Sequence, residues 1–187
     1  LLPPYFDAAA DDAVNYGAIG AVIGHEMLHA FDDQGSKFDA RGNLADWWTS
    51  EDRHRFDASA ANLVAQFNAY VPLDTLHVNG QLTLGENIAD LGGLLVAYDA
   101  FKTTGQGKGN AQIDGMNPDQ RFFIAFAQSW REQQRSEQLR RQVQSNEHAP
   151  AKYRVNGPLG NTPAFAQAFG CKAGDAMVRG DAQVKIW

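Results

Sequence analysis

Apolar side chains fill almost every position from Tyr16 to Phe31, interrupted by Gly17, Gly20 and Gly24 and by His25, Glu26 and His29. A run apolar on all sides predicts a helix buried all round rather than a half-exposed surface helix. The glycines lower helicity by about 1 kcal/mol each relative to Ala, which is tolerable where a neighbouring element comes close. A polar turn follows at Asp32-Asp33-Gln34-Gly35. Residues 46–70 place Trp47, Phe56, Leu63, Phe67 and Tyr70 at helical spacing, predicting a long amphipathic helix that Pro72 ends. Asn79-Gly80 between short apolar runs at 76–82 predicts a hairpin. Thr83 to Thr104 reads as a second long helix containing Gly92-Gly93. The Gly-rich stretch 105–117 reads as a mobile loop, and Pro118 opens a helix through Arg131. Residues 132–147 predict a short exposed helix. The chain from Tyr153 reads as strand or loop, followed by a short helix near 163–170 and a tail to Trp187. The fold class expected is mainly α with minor β hairpins.

Composition narrows the function classes. The 187 residues are 44% hydrophobic, with 16 Lys plus Arg against 22 Asp plus Glu and a net charge of −6. So acidic a chain lacks the basic face that phosphate backbones require, so no nucleic-acid partner is expected. No apolar run approaches the roughly 20 residues that span a bilayer, so no membrane contact is expected from this segment. Cys171 is the single cysteine, which excludes an internal disulfide and a Cys-based zinc site. The chain starts at Leu1 without a Met or a leader pattern, and reads as the C-terminal part of a longer polypeptide.

The chemistry concentrates in His25-Glu26-Met27-Leu28-His29. Residues i and i+4 share a helix face, so two imidazoles one turn apart can hold one metal ion at about 2.0–2.1 Å. Glu26, beside them, is placed to deprotonate a zinc-activated water. Two His and a Glu inside a buried apolar helix are costly unless paired or metal-bound. The bland alternative, two neutral core histidines, leaves a buried Glu26 without a partner.

Catalytic zinc takes three protein ligands and keeps an open position. The metzincin spacing puts the third His at position 35, which is Gly35, so that class is excluded. Glu51 lies at a thermolysin-like distance but is followed by Arg55. His54 sits in a charged stretch that faces water. Glu86 is the fourth candidate, with Asp90 one turn later on the same face, and Glu51 stays open as its thermolysin-like rival. One of these carboxylates can bind the metal while the other orients a ligand imidazole. Thr83-Leu84-Gly85-Glu86 also fits a capping box, in which Glu86 would only cap its own helix. The repeated acid in an apolar stretch, and the close helix approach that Gly92-Gly93 allows, favour Glu86 as ligand.

Taken together, these residues resemble the neprilysin-type, M13 family of zinc metallopeptidases. The matching text is Asn15-Tyr16-Gly17, Val22-Ile23-Gly24-His25-Glu26-x-x-His29-x-Phe31-Asp32-Asp33-x-Gly35, and Gly85-Glu86-Asn87-Ile88-Ala89-Asp90-Leu91-Gly92-Gly93. Phe126-Ala127-Gln128-x-Trp130, His148-x-Pro150-x-x-Tyr153-Arg154-Val155, Asn161-Thr162-x-x-Phe165 and Trp187 follow in family order. The resemblance implies a zincin-like catalytic domain with one Zn²⁺ per chain, held by His25, His29 and Glu86. It implies Glu26 as general base, Asp90 as support for a ligand imidazole and auxiliary acid, and Asp32 as a further partner behind the ligands. His148 would donate to the oxyanion and Arg154 would bind a substrate carbonyl; neither role is readable from the residues alone. Val22, Trp130, Tyr5 and Phe6 are the candidates for a hydrophobic pocket beyond the scissile bond.

The chain also departs from the family pattern. Family members are several times longer, and their N-terminal lobe and Asn-Ala-x-Tyr edge strand have no counterpart here. The tail reads Val184-Lys185-Ile186-Trp187 where animal relatives have Cys-x-x-Trp, which fits a bacterial relative. The expected function is a zinc-dependent endopeptidase cutting oligopeptides on the amino side of hydrophobic residues, poorly active without the N-terminal lobe. Family habit places it in the periplasm or outside the cell, with possible tethering through an N-terminal segment. The alternative is a non-catalytic zinc-binding fragment.

Overall fold

The computed structural model describes residues 2–187. Its first helical stretch starts earlier than the apolar run predicts. The Asp11 side chain accepts the Val14 N–H and opens α1 (Asp12–Asn15), which continues through a π turn (Tyr16–Gly20) into α2 (Ala21–Leu28) and a 3₁₀ turn (His29–Phe31). Thr49 caps α3 (Ser50–Asn68), so Trp47 and Trp48 precede the helix rather than belonging to it. The remaining helices are α4 (Leu84–Thr103), α5 (Gly105–Lys108), α6 (Pro118–Ser129), α7 (Ser136–Ser145), α8 (Ala151–Gly160) and α9 (Pro163–Ala168). A reciprocal Asn117–Gln120 capping box with Pro118 in the first turn fixes the start of α6. The mainly α reading holds.

The β expectations do not survive as strands. Pairing among the described residues is limited to isolated bridges at Phe38–Leu44, Leu73–Leu76 and Ile113–Met116. Asn79 instead accepts the backbone N–H groups of Gln81 and Leu82, forming a side-chain turn that leads into α4. The loop expected at 105–117 carries the short helix α5, capped by Thr104. The segment from Tyr153 is helix, not strand or loop. Asn156-Gly157-Pro158 looks like a breaker, yet Pro158 falls in the last turn, and Gly157 is required because a Cβ there would press on the Phe67 ring.

Two hydrophobic clusters share α4 as their common wall. One gathers Phe56, Leu63, Phe67, Ile88, Leu91, Tyr153 and Val184; the other gathers Ala21, Leu94, Phe101, Phe122, Phe123, Phe126 and Leu159. The α2 helix packs on α4 through Ala21, Gly24 and Leu28, and at the crossing a Cβ on Gly24 would stand 2.6 Å from the Gly93 carbonyl oxygen. This backbone approach fixes the height of the two long helices relative to one another. It also corrects the expectation of an all-round buried helix: Ile23 is 55% and Met27 60% exposed, because α2 is covered along one face. The terminal Trp187 packs edge-on against Trp48 and beside Phe56, next to Gly92 of α4.

Candidate metal centre

The site forms where α2, α4 and α8 meet. His25 and His29 project from one face of α2 and its 3₁₀ extension, and Glu86 reaches them from the first turn of α4. The His25 and His29 Nε2 atoms lie 3.0 Å apart, Glu86 Oε2 is 3.4 Å from His25 Nε2, and Glu86 Oε1 is 3.6 Å from His29 Nε2. A tetrahedral zinc with ligands at about 2.0–2.1 Å separates its donors by roughly 3.3 Å, close to all three values. The competing capping role of Glu86 is not formed. Thr83 makes no side-chain cap; its hydroxyl accepts from the Asn87 amide, leaving the Glu86 carboxylate to the site.

Each imidazole has a carboxylate behind it. His29 Nδ1 is 2.8 Å from Asp32 Oδ2, and the other Asp32 oxygen accepts the N–H groups of Gln34 and Gly35. His25 Nδ1 is 2.9 Å from Asp90 Oδ1, close as an ion pair although the ring N–H is not aligned for a hydrogen bond. A carboxylate cannot donate, so each Nδ1 carries the proton and each Nε2 presents a lone pair. With both rings neutral, two lone pairs 3.0 Å apart beside a carboxylate repel unless a cation lies between them, either a metal ion or the second proton of His25. The donor set therefore fits a divalent ion, and His₂Glu chemistry suits zinc. The same excess of negative charge acts on His25: burial pulls its pKa down, but the Asp90 and Glu86 acceptors outweigh it and raise it to about 9.

Arg154, on α8, closes the site from the other side. It pairs with Asp90 at two points, Nε to Oδ2 and Nη2 to Oδ1, both 2.7 Å, and Nη2 also lies 3.0 Å from Glu86 Oε2. The Trp130 ring lies 4.1 Å from the guanidinium carbon. Although burial disfavours the charged guanidinium, the two carboxylates hold its pKa above the ordinary arginine value. The Glu86 carboxylate is partly buried, which pulls its pKa up, yet the His25 contact and the Arg154 charge hold it below the usual range. His148, in the loop after α7, places Nε2 3.2 Å from Glu86 Oε2.

Glu26 differs from its expected setting. It is exposed at the cavity mouth rather than buried, because it points off the α2 face that packs on α4. A cavity of about 400 Å³ opens beside it, lined by Val22, Trp130, Tyr5, His148 and Arg154 as well as by Ile19, Phe126 and Ser129. Phe6 does not line it. Ile19 and Ser129 were not singled out from the sequence, and Phe126 only as part of the family-matching text, although a signal existed: Ile19, Val22 and Glu26 share one helix face, as do Phe126, Ser129 and Trp130. Glu51 and His54 lie on the exposed side of α3, where Glu51 pairs with Arg55 at 2.9 Å.

Comparison with known proteins places the chain in a family. The family model for Peptidase family M13 matches residues 1–184. An endothelin-converting enzyme homolog from Locusta migratoria is 42% identical over 95% of this chain and 25% of its own length. Human membrane metallo-endopeptidase-like 1 is 41% identical, over 95% and 23%. Among solved structures, the Mycobacterium tuberculosis zinc metalloprotease Zmp1 in complex with an inhibitor superposes with a TM-score of 0.96 at 44% identity, covering all of this chain and 29% of that one. PepO from Lactobacillus rhamnosis superposes with a TM-score of 0.88 at 39% identity, covering 100% and 28%. The chain spans about a quarter of the length of the curated relatives it matches. With the family model covering nearly every residue and the helix-borne His25, His29 and Glu86 gathered at one point, the chain belongs to peptidase family M13.

Proposed function

We propose that this chain is the zinc-binding catalytic part of an endopeptidase that hydrolyses oligopeptides on the amino side of hydrophobic residues. The observation that carries the reading is the convergence of His25 Nε2, His29 Nε2 and a Glu86 oxygen at tetrahedral spacing, with Glu26 at the mouth of the adjoining cavity. Bound zinc would supply Lewis-acid polarisation of the scissile carbonyl and acidify the attacking water. Glu26 takes a proton from that water as its oxygen bonds to the carbonyl carbon. It then delivers the proton to the leaving nitrogen as the C–N bond breaks, so protons balance over the cycle. His148 and Arg154 line the same cavity and supply donors for the developing oxyanion and for a substrate carbonyl. Asp90 and Asp32 hold the two imidazoles with Nε2 turned inward. The apolar wall of Val22, Phe126 and Trp130 suits a hydrophobic side chain after the scissile bond.

The reading extends to partners and setting. The relatives are about four times longer, so a further lobe of the same polypeptide completing the cleft is part of the proposal. A location outside the cytoplasm accords with a relative named as a membrane metallo-endopeptidase. No helix among the described residues is long and apolar enough to cross a membrane.

Glu26→Gln tests the chemistry, because it removes the base and leaves the three ligands in place. Hydrolysis of a peptide with a hydrophobic residue after the scissile bond is expected to fall by at least roughly 10²-fold with zinc content unchanged. Undiminished hydrolysis with zinc retained overturns Glu26 as the base and with it this mechanism, and no hydrolysis by any form that includes the further lobe leaves a non-catalytic zinc-binding protein. The 187 residues alone are expected to bind zinc and turn over slowly.

A further inference from the structure

The wall of the cavity beside Glu26 is apolar where Ile19 and Val22 meet the end of α6, with one exception. Ser129 lies between Phe126 and Trp130 on that lining and is 8% exposed. Its hydroxyl is not free to donate. In a continuing α-helix the Trp130 N–H would bond the Phe126 carbonyl; here α6 ends and that N–H goes to Ala127 at 3.3 Å. The carbonyl left over is taken by the Ser129 hydroxyl, which donates to Phe126 O at 2.7 Å. A hydroxyl has one proton and two lone pairs, and a carbonyl can only accept, so the Ser129 proton is committed and what Oγ still offers is a lone pair. An acceptor set among aromatic and branched side chains suits an aromatic ring that carries a donor.

We propose that Ser129 is a specificity-determining residue: Oγ accepts a hydrogen bond from the ring donor of a tyrosine or tryptophan seated after the scissile bond, and peptides with such a residue are favoured over those with phenylalanine. Without Oγ, a tyrosine hydroxyl entering this wall would lose its water and gain no partner. With it, the bond is one between neutral groups, which sets a preference of roughly 2- to 10-fold. The proposal deepens the peptidase reading and rests on it for what the cavity receives; the preference itself can be read without turnover.

Two measurements test this. The leaving fragment begins with the residue in question, so tyrosinamide and phenylalaninamide, which differ by one hydroxyl, are the probes. In NMR titrations of the zinc-loaded chain, tyrosinamide is expected to bind roughly 2- to 10-fold more tightly than phenylalaninamide. Ser129→Ala should close that gap, and Ser129→Thr, which keeps the oxygen, should retain it. Comparing two ligands on one sample cancels any loss of folded protein in a variant. Equal binding of the two amides by the wild type, or none at the cavity residues, overturns the proposal. So does a gap that survives in Ser129→Ala, which would put the acceptor elsewhere on the lining, at Tyr5 or Glu26. In a form that turns over, peptides differing only in Tyr or Phe after the scissile bond should show the same ratio in kcat/KM, lost in Ser129→Ala. Hydrolysis without that ratio overturns the proposal and leaves the peptidase reading in place. The expected binding gap without hydrolysis of any peptide overturns the peptidase reading and leaves Ser129 as the acceptor.

Discussion

Arg154 and Asp90 form a two-point ion pair with both N–O distances at 2.7 Å, and the pair joins α8 to the middle of α4 behind His25. Both side chains are buried, and Asp90 also faces His25 Nδ1 at 2.9 Å. The pair thus links the helix that supplies Glu86 to the ring of His25. An arginine in a segment expected to be strand or loop is a buried cation on a helix, its fork largely occupied by protein.

Arg154→Ala should therefore destabilise the fold before it affects any substrate. It strands Asp90 as a buried charge beside Glu86, an arrangement that costs about 3–5 kcal/mol. Arg154→Lys restores the charge but not the planar two-point grip, so it should recover only part of the loss. Urea unfolding of the zinc-free protein measures both. Near-wild-type stability of the Ala variant would show the pair to be unimportant for the fold.

Gly93 is the second structural point on which the candidate ligands depend. A Cβ at this position would strike the His25 backbone nitrogen, so α2 and α4 cannot keep their spacing. Gly93→Ala should cost about 1–3 kcal/mol as overpacking and should weaken zinc binding by shifting His25 away from Glu86. Chemical denaturation and metal titration on the same sample test this. Lost stability with unchanged zinc affinity would place the strain elsewhere.

These relationships mark what the sequence could and could not reveal. His25 and His29 were legible because a helix fixes the i, i+4 geometry by itself. Glu86 was legible as one of several acids, favoured by Asp90 one turn on and by the family resemblance; that its capping role is not formed, because Thr83 bonds to Asn87 and makes no cap, could be read only from the structure. The Gly92-Gly93 pair correctly signalled a close approach but could not name Gly24 as the residue opposite. Glu26 was misread as buried because an apolar run does not reveal which face of a helix is covered. The hairpin at 76–82 and the strand near Arg154 failed for one reason: Asn-Gly and Gly-Pro are breaker signals, and tertiary packing decides which structure they break into. Here the Asn79 oxygen makes a turn, and Phe67 packs over Gly157 in the last turns of α8.

Glu86 and Glu51 are separable by metal content. Glu86→Gln should weaken zinc binding by more than the roughly 10–100-fold typical of losing a residue behind a ligand. Glu51→Gln should leave it unchanged, since Glu51 is exposed and paired with Arg55. Zinc at about 100 times its Kd should stabilise the wild-type fold by about 2.7 kcal/mol, and chelation should reverse the effect. Thermal unfolding with and without zinc reads this directly. A Glu86→Gln protein that kept the full zinc-dependent rise in Tm would remove Glu86 from the ligand set.

Asp32 performs two jobs that one substitution can divide. Its Oδ2 faces His29 Nδ1, while its Oδ1 accepts the N–H groups of Gln34 and Gly35 and closes the turn after the second ligand. Gly35 belongs to that turn by necessity, because a Cβ there would collide with the His29 carbonyl. Asp32→Asn keeps an oxygen for the turn but removes the negative charge behind His29. It should therefore lower zinc affinity roughly 10–100-fold with little change in the stability of the zinc-free protein. Asp32→Ala removes both functions, leaves two backbone donors in a tight turn without their acceptor, and should cost a further ~1–3 kcal/mol. Calorimetric zinc titration paired with urea unfolding separates the two effects. Equal zinc affinity in the wild type and Asp32→Asn would mean that Asp32 serves the turn alone, and that His29 is oriented by the packing of α2 on α4 without help from the carboxylate.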